Sequence, residues 1–226
     1  MKALIGLLGC IIIYGISVFL GSIIHLPGSF FPYSFPEHTL MLLLSVLLIY
    51  LFRKQISFRF GKVRPKLLLL SVATGLAVTI ISGILSSIFL LAIGSSGVTE
   101  KHIAFSTMTP LQFILFVFIY ASLAEELLYR GFLQNMLFSL QSKGIRIFSL
   151  RISLPVLISA LVFSASHLIL LASGAGAAFI GRTLFFTFLL GITAGYFQEK
   201  NRNTTYAFVV HMAGNLPGVL SIFLLS

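Results

Sequence analysis

The fold is decided by one apolar stretch, residues 111–140, which reads LQFILFVFIYASLAEELLYRGFLQNMLFSL. It is long enough to cross a bilayer, because about 20 helical residues span a hydrocarbon core of about 30 Å. Two adjacent carboxylates, Glu125 and Glu126, interrupt it, and Arg130 follows four residues after the second. The chain has no Asp and only five Glu, so two of its five acids lie where ionised groups are costly. A charge near the centre of a membrane helix costs at least about 2.5 kcal/mol, which predicts a functional role for these side chains.

The composition predicts an integral membrane protein. The 226 residues are 58% hydrophobic and 9% charged, whereas a soluble domain of this size has about 25% charged residues. Seven apolar stretches are long enough, or nearly so, to span the membrane, and spans in lipid satisfy their backbone best as helices. They cover residues 3–24, 38–52, 67–93, 110–140, 154–172, 178–198 and 204–225. The sequence therefore predicts an all-α, polytopic bundle of about seven transmembrane helices in a single domain, 1–226, with surface-lying or interfacial segments at 57–66 and 141–153.

The basic residues predict how the chain is oriented. The net charge is +10, yet the placement of the charges argues against a nucleic-acid-binding protein. With Lys2 in the cytoplasm and seven alternating helices, twelve of the fifteen basic residues fall inside: Lys2, Arg53, Lys54, Arg59, Lys62, Arg64, Lys66, Lys143, Arg146, Arg151, Lys200 and Arg202. This is the positive-inside pattern. It predicts a cytoplasmic N-terminus, an outer C-terminus and inner loops that touch anionic lipid headgroups.

The Glu-Glu pair predicts a division of roles. Glu126 and Arg130 are spaced i, i+4 with the acid first, which is the favourable order for an ion pair on one helix face. Glu125 projects about 100° away from Glu126, so one arginine does not easily serve both carboxylates. Glu125 is therefore left for chemistry, and its distance along the span places it in the cytoplasmic half of the membrane. The alternative is that all three residues only lock two helices together.

Two histidines also lie at membrane depth. His167 falls within the fifth apolar stretch and His211 within the seventh, with Asn215 one turn later on the same helix face. His211 and Asn215 can donate two hydrogen bonds to a single point, as an oxyanion requires, while metal ligation is the rival use of His211. The remaining histidines are expected to be solvated, in or beside outer loops: His25, His38 and His102.

Four short motifs occur in order on successive predicted helices. EExxxR is matched at residues 125–130, FxxxH at 163–167, a Gly-rich helix with a GxxxG pair at 191–195, and HxxxN at 211–215. Each motif is weak alone, but four in this order are specific. The set resembles the CAAX-protease and bacteriocin-processing family of intramembrane endopeptidases, also called the abortive-infection (Abi) family. The motif core covers residues 110–225, and the first three helices carry no motif.

The resemblance implies roles for the polar residues. Glu125 would activate water with the assistance of His167, and His211 with Asn215 would stabilise the tetrahedral oxyanion. The supporting residues would be Glu126 and Arg130. A metal-dependent version would use zinc held by Glu125, His167 and His211. Because the chain has no HExxH helix, the mechanism without a metal or other cofactor is favoured.

The resemblance also implies the class of substrate. We expect a peptide or protein tail that enters laterally from the membrane and is cleaved near its cytoplasmic side, either a prenylated CAAX C-terminus or a leader peptide. The short chain and compact termini favour a prokaryotic cell membrane. Two other classes stay open, a transporter that uses buried Glu and His as a proton relay and a non-catalytic immunity protein. The sequence carries no signal for an oligomeric state.

Overall fold

The apolar stretches fold into helices. The computed structural model describes residues 1–92 and 107–225. Within these ranges the helices are α1 (Lys2–Ile23), α2 (Phe35–Leu51), α3 (Pro65–Ala92), α4 (Pro110–Gln134), α5 (Leu154–Ser166), α6 (Ala177–Asn201) and α7 (Thr204–Leu225). Two 3-10 segments, Phe138–Leu140 and His167–Ser173, follow α4 and α5. Strands β1 (Gly144–Ile147) and β2 (Leu150–Ser153) form an antiparallel hairpin between α4 and α5.

Six of these helices are long and apolar enough to cross a membrane when α5 is taken together with the 3-10 segment that continues it, as Leu154–Ser173; α2, with 17 residues, is shorter. Large apolar side chains such as Phe19 on α1 and Ile84 on α3 are exposed, as expected for surfaces that face lipid. The chain is therefore an integral multi-pass membrane protein with an all-α bundle, which confirms the predicted fold class. The cytoplasmic position of the N-terminus stays a prediction. The predicted outer loop that contains His102 lies outside the described residues.

Helix α4 is the most enclosed of the long helices. In its most apolar 18-residue stretch, 50% of the residues are buried inside the protein, whereas 17–39% are buried in the corresponding stretches of the other five long helices. It begins with a capping box between Thr109 and Gln112, with Pro110 in the first turn. It packs against α1, α2, α5, α6 and α7, whereas α3 packs mainly against α6 and α7. Side chains on several faces of α4 therefore meet neighbouring helices.

The backbone of α4 changes its winding around the Glu-Glu pair. Two π-helical stretches, Phe113–Ala121 and Leu127–Gln134, flank one α-helical turn, Ser122–Glu126. π-helical backbone, with i→i+5 hydrogen bonds, is rare and is frequent at functional sites. The single helix predicted over 110–140 is wrong at its C-terminal end, because the helix gives way to the separate 3-10 turn Phe138–Leu140.

Helix α2 begins alongside the middle of α4 instead of level with its start. The Phe35 ring packs against the rings of Phe116 and Tyr120, at centroid distances of 5.2 and 5.3 Å. Proline is favoured in the first turn of a helix, and Pro36 occupies that place in α2. The predicted start of this helix at His38 is therefore three residues late. As a result, His38 lies in the first turn of α2, and that turn packs beside α4.

The segment before α2 folds over this end of the bundle. The rings of Phe30 and Phe31 contact Phe116. The Gln112 carboxamide donates to the carbonyls of Ser29 and Phe30 at 2.7 and 2.8 Å. Residues 30–35, at the end of this loop, thus form an aromatic cover over Phe116.

The two predicted surface-lying segments do not form helices. Residues 144–153 form the β-hairpin, since Ile and Leu alternate with Arg in the period-2 pattern of a strand. The basic loop before α3 has no helix between residues 57 and 64. Its backbone is bonded instead to the turn between α6 and α7, through Thr204 N to the Arg59 carbonyl and Asn203 Nδ2 to the Gly61 carbonyl.

Candidate active site

The two adjacent carboxylates of α4 lie in different surroundings. The Glu126 side chain is 1% exposed, whereas that of Glu125 is 17% exposed. Successive helical residues point about 100° apart, so the two side chains reach different neighbours. Glu126 is enclosed among packed helices, and Glu125 faces a half-buried space between α2 and α7.

Glu126 accepts two hydrogen bonds on one oxygen. Arg130 Nη1 donates to Glu126 Oε1 at 2.8 Å, and both side chains are almost fully buried. Nδ1 of His211 on α7 lies 2.8 Å from the same oxygen. The Glu126–Arg130 pair expected from the i, i+4 spacing is therefore present. The bond to His211 was not expected, because the two residues are 85 positions apart and no spacing rule connects them.

The carboxylate of Glu126 fixes the orientation of the His211 ring. A carboxylate only accepts hydrogen bonds, so His211 Nδ1 carries the hydrogen. The other ring nitrogen, Nε2, then points at Glu125 and lies 3.5 Å from its Oε2. A chain of close polar contacts therefore runs from Arg130 through Glu126 to His211 and ends at the more exposed carboxylate of Glu125.

His167 reaches the site from the end of α5. It is the first residue of the 3-10 segment, and its Nδ1 donates to the Phe163 carbonyl at 3.0 Å. The Glu125 carboxylate acts electrostatically on His167 as well as on His211, so both imidazoles lie within range of its charge. Among the described residues, no hydrogen bond joins His167 to Glu125, and its Nε2 stays free of a protein partner.

The ring of Phe163 organises the surrounding side chains. It packs edge-on against His167 and His211, at 5.1 and 5.4 Å between ring centroids. The Arg130 guanidinium lies over the same ring at 4.6 Å, a favourable cation–π distance. The aromatic residue of the FxxxH motif thus has a spatial role that the sequence analysis did not assign, namely to hold both histidines and the arginine around one ring.

Asn215 stands one turn after His211 on α7. Its Nδ2 donates to the Ser122 hydroxyl at 3.2 Å. Ser122 lies at the start of the α-helical turn that carries Glu125, so the carboxamide is held beside the carboxylate. The second hydrogen of the amide group is left for another acceptor. Ser122 is a further residue that the sequence analysis missed.

His38 is not solvated, and that prediction is wrong. Its side chain is 15% exposed, and its Nε2 lies 3.9 Å from Glu125 Oε1. The prediction failed because α2 begins alongside the middle of α4 and because residues 30–35 form an aromatic cover at this end of the bundle. No motif spacing links His38 to the acid pair, so the only sequence signal was an ionisable residue at the edge of an apolar stretch. His25, in contrast, is exposed as predicted.

The small residues of α6 make room for the buried arginine. A Cβ atom on Gly191 would lie 2.9 Å from Arg130 Nη2 and 3.0 Å from the Ala160 backbone on α5. One turn later, a Cβ on Gly195 would meet Gln134 Oε1 at 2.8 Å and Val156 Cγ1 at 3.1 Å. The GxxxG pair therefore permits close helix packing, as the sequence predicts, and also gives the guanidinium its space.

The residues considered as zinc ligands do not form a metal site as they are placed. Among the described residues, no group of three His, Cys, Asp or Glu side chains lies close enough together to hold a metal ion. His167 and His211 bond Nδ1 to protein oxygens, which leaves only Nε2 of each ring for another partner. The mechanism without a metal stays a prediction.

Comparison with known families supplies the classification. Residues 107–217 match the family model described as type II CAAX prenyl endopeptidase Rce1-like. The matched segment includes all four motifs and every polar residue of the site except His38. Comparison with curated proteins and with solved structures gave no match. The matched family is a protease family, which places the protein broadly among the hydrolases. Through this segment, which is just under half of its length, the chain matches the CAAX-protease and bacteriocin-processing family, in its Rce1-like group.

Proposed function

We propose that the protein is an intramembrane endopeptidase in which Glu125 activates a water molecule to hydrolyse a peptide bond. One observation carries the proposal. Of two adjacent carboxylates in α4, Glu126 is enclosed and bonded to Arg130 and His211, whereas Glu125 is partly exposed, at 17%, between the imidazoles of His38 and His211. A charge at this depth in a membrane is costly. A purely structural role for the pair would therefore not explain why a second carboxylate stays accessible instead of being enclosed in an ion pair.

Glu125 acts as the general base in this mechanism. Its carboxylate takes a proton from water while the water oxygen attacks the carbonyl carbon of the peptide bond. The same carboxyl group then returns the proton to the leaving amine, so the residue ends each cycle ionised. His167, whose Nδ1 donates to a backbone carbonyl, keeps Nε2 for another partner and assists in handling the proton.

His211 and Asn215 stabilise the negative oxygen of the tetrahedral intermediate. Because Nδ1 of His211 donates to Glu126, the ring must be doubly protonated to donate from Nε2 at the same time. The adjacent carboxamide of Asn215, steadied by Ser122, supplies a second donor. Loss of one such donor typically costs about 10²–10³ in kcat.

The proposed substrate is a peptide or protein tail that reaches the site through the membrane. Membrane lipids surround its path, and the family description points to a prenylated CAAX C-terminus, with a leader peptide as the second version. We place the chain in a prokaryotic cell membrane, with the N-terminus cytoplasmic, the C-terminus outside and cleavage near the cytoplasmic side. The placement of the basic loops supports this orientation.

The reaction is proposed to need no metal. Among the described residues, no three His, Cys, Asp or Glu side chains lie close enough together to hold a metal ion, and Asn215, one turn after His211, would be a poor zinc ligand. Activity that survives a strong chelator, in protein shown by elemental analysis to hold no zinc, is the expected result. Activity that disappears with the chelator and returns with zinc would overturn the metal-free mechanism while leaving the protease assignment intact.

The decisive experiment compares wild type with Glu125→Gln on purified protein in liposomes. The probes are a farnesylated CAAX peptide and a panel of leader peptides, with cleavage sites read by mass spectrometry. We expect a loss of at least about 10³-fold in kcat with unchanged thermal stability, as for removal of an essential catalytic group. A Glu125→Gln variant that cleaves at the wild-type rate would refute the assignment of the base.

A further inference from the structure

His38 is an additional imidazole at the proposed site, and it lies outside the segment that matches the family. Its Nε2 faces Glu125 Oε1 at 3.9 Å, while His211 Nε2 faces the other oxygen, Oε2, at 3.5 Å. The carboxylate of Glu125 is thus flanked by α2 on one side and by α7 on the other. Each carboxylate oxygen has its own imidazole.

The local structure fixes which nitrogen of His38 is free. Its Nδ1 lies 2.8 Å from the carbonyl oxygen of Ser34, one turn earlier in the chain. A carbonyl only accepts hydrogen bonds, so Nδ1 carries the hydrogen. In the neutral ring, Nε2 is then an acceptor that points at another acceptor, Glu125 Oε1. Two acceptors form no hydrogen bond with each other, and at this separation they are well placed to share a donor.

A water molecule is the donor that satisfies both atoms. It has two hydrogens, and groups 3.9 Å apart can each accept one of them from an oxygen that lies about 2.8 Å from each acceptor and so roughly 2 Å off the line between them. Resting on the proposed function, we infer that His38 is a further catalytic residue, which holds the attacking water together with Glu125. His38 Nε2 accepts one hydrogen of the water, and Glu125 Oε1 accepts the other as the proton that is removed.

This arrangement gives the two sides of the carboxylate different tasks. The water lies on the Oε1 side with α2, and the oxyanion donors His211 and Asn215 lie on the Oε2 side with α7. A peptide carbonyl between α2 and α7 would then meet the water on one face and hydrogen-bond donors at its oxygen. Helix α2, which carries none of the four motifs, therefore contributes to the chemistry.

The test uses three substitutions of His38: Gln and Asn, which place a hydrogen-bond acceptor at different distances from the backbone, and Leu, which has no acceptor. In Gln the carboxamide oxygen reaches the position of the imidazole Nε2, whereas in Asn the carboxamide reaches only that of Nδ1. We expect His38→Gln to keep kcat within about threefold of wild type, and His38→Asn and His38→Leu to lose about 10–100-fold, since misplacing a reacting group by 1 Å costs about 10²-fold. KM, and the affinity for an uncleavable peptide analogue, should stay within threefold in all three.

The matched control is His25→Leu. His25 also bonds its Nδ1 to a backbone carbonyl, that of Ile23, but it is exposed and lies outside the site. It should keep wild-type kcat and thermal stability. If His38→Leu does not fold, the comparison of His38→Asn with His38→Gln decides alone, because both keep a polar side chain.

Three outcomes are distinguishable. If wild type cleaves, Glu125→Gln does not and His38→Asn loses kcat while His38→Gln keeps it, the inference holds. If wild type cleaves and Glu125→Gln does not, but His38→Asn and His38→Gln turn over at equal rates, the role of His38 is wrong and the proposed function stands. If Glu125→Gln itself cleaves normally, the proposed function fails and the role of His38 fails with it.

Discussion

The close packing of α6 against Arg130 leads to a graded prediction for three glycines of one helix. Gly181 has open space around its missing Cβ, Gly195 would meet the end of a flexible side chain, and Gly191 would meet both a guanidinium nitrogen and backbone. Replacing each by Ala adds the same methyl group to the same helix. Stability should therefore fall in the order Gly181→Ala, Gly195→Ala, Gly191→Ala.

The magnitude follows from two opposing contributions. Ala is favoured over Gly in a helix interior by about 0.5–1 kcal/mol, and all three variants share this gain. Overpacking a tight contact costs about 1–3 kcal/mol, and only Gly191→Ala carries it fully, because the Ala160 backbone at 3.0 Å cannot rotate away. The free energy of unfolding of Gly191→Ala should thus be about 1–3 kcal/mol below that of Gly181→Ala.

Reversible unfolding in detergent–SDS mixtures measures this difference directly, and thermal unfolding at a fixed scan rate supports it. At about 2–4 °C per kcal/mol for a chain of this size, the two midpoints should differ by roughly 2–12 °C. Gly191→Ala should also lower peptidase activity, because the methyl group pushes Arg130 and, through it, Glu126 and His211. Equal stability of the Gly191→Ala and Gly181→Ala variants would refute the packing argument.

Two further predictions concern the buried pair and the orientation of the chain. Glu126→Gln leaves Arg130 buried without its counter-ion, so the free energy of unfolding should drop by about 3–5 kcal/mol, whereas Glu199→Gln, which changes a half-buried carboxylate bonded to the Ser153 hydroxyl, should cost clearly less in the same SDS titration. The orientation of the chain can be tested by labelling introduced cysteines. Cys10 is the only native cysteine and is buried, so a label on a variant with one added cysteine reports only the position of that cysteine. In sealed right-side-out vesicles a membrane-impermeant maleimide should label Ser29→Cys and not Ser57→Cys, and the reverse pattern would place the N-terminus outside.

Rules that apply within a single helix correctly predicted the spans, the Glu126–Arg130 pair and the close contact at the GxxxG pair. Apolar length identified the spans, since every long helix in the described ranges overlaps a predicted one. The i, i+4 rule identified the Glu126–Arg130 pair, because both partners lie on one helix. The tight contact at Gly191 and Gly195 followed from the absence of side chains at a one-turn spacing.

Contacts that depend on the relative position of two helices could not be predicted from the sequence. The bond from Glu126 to His211 joins α4 to α7, and no single-helix rule fixes their relative height. The position of His38 depended on where α2 starts, which Pro36 and the aromatic side chains of residues 30–35 decide together. The surface-lying segment predicted at 141–153 is largely exposed, but its hairpin was not predicted, because alternating Ile and Arg suits both a strand and a surface-lying helix until the strands pair.

The β-hairpin offers an exposed attachment point that is joined directly to α5. Its strands are in register from Gly144 opposite Ser153 to Ile147 opposite Leu150, and Phe148 at its tip is 95% exposed. β2 runs directly into α5, where the Ser153 hydroxyl caps the first turn. An epitope or a small fiducial domain grafted between Phe148 and Ser149 would therefore move with α5, and give electron microscopy a fixed landmark for a 24.8 kDa particle.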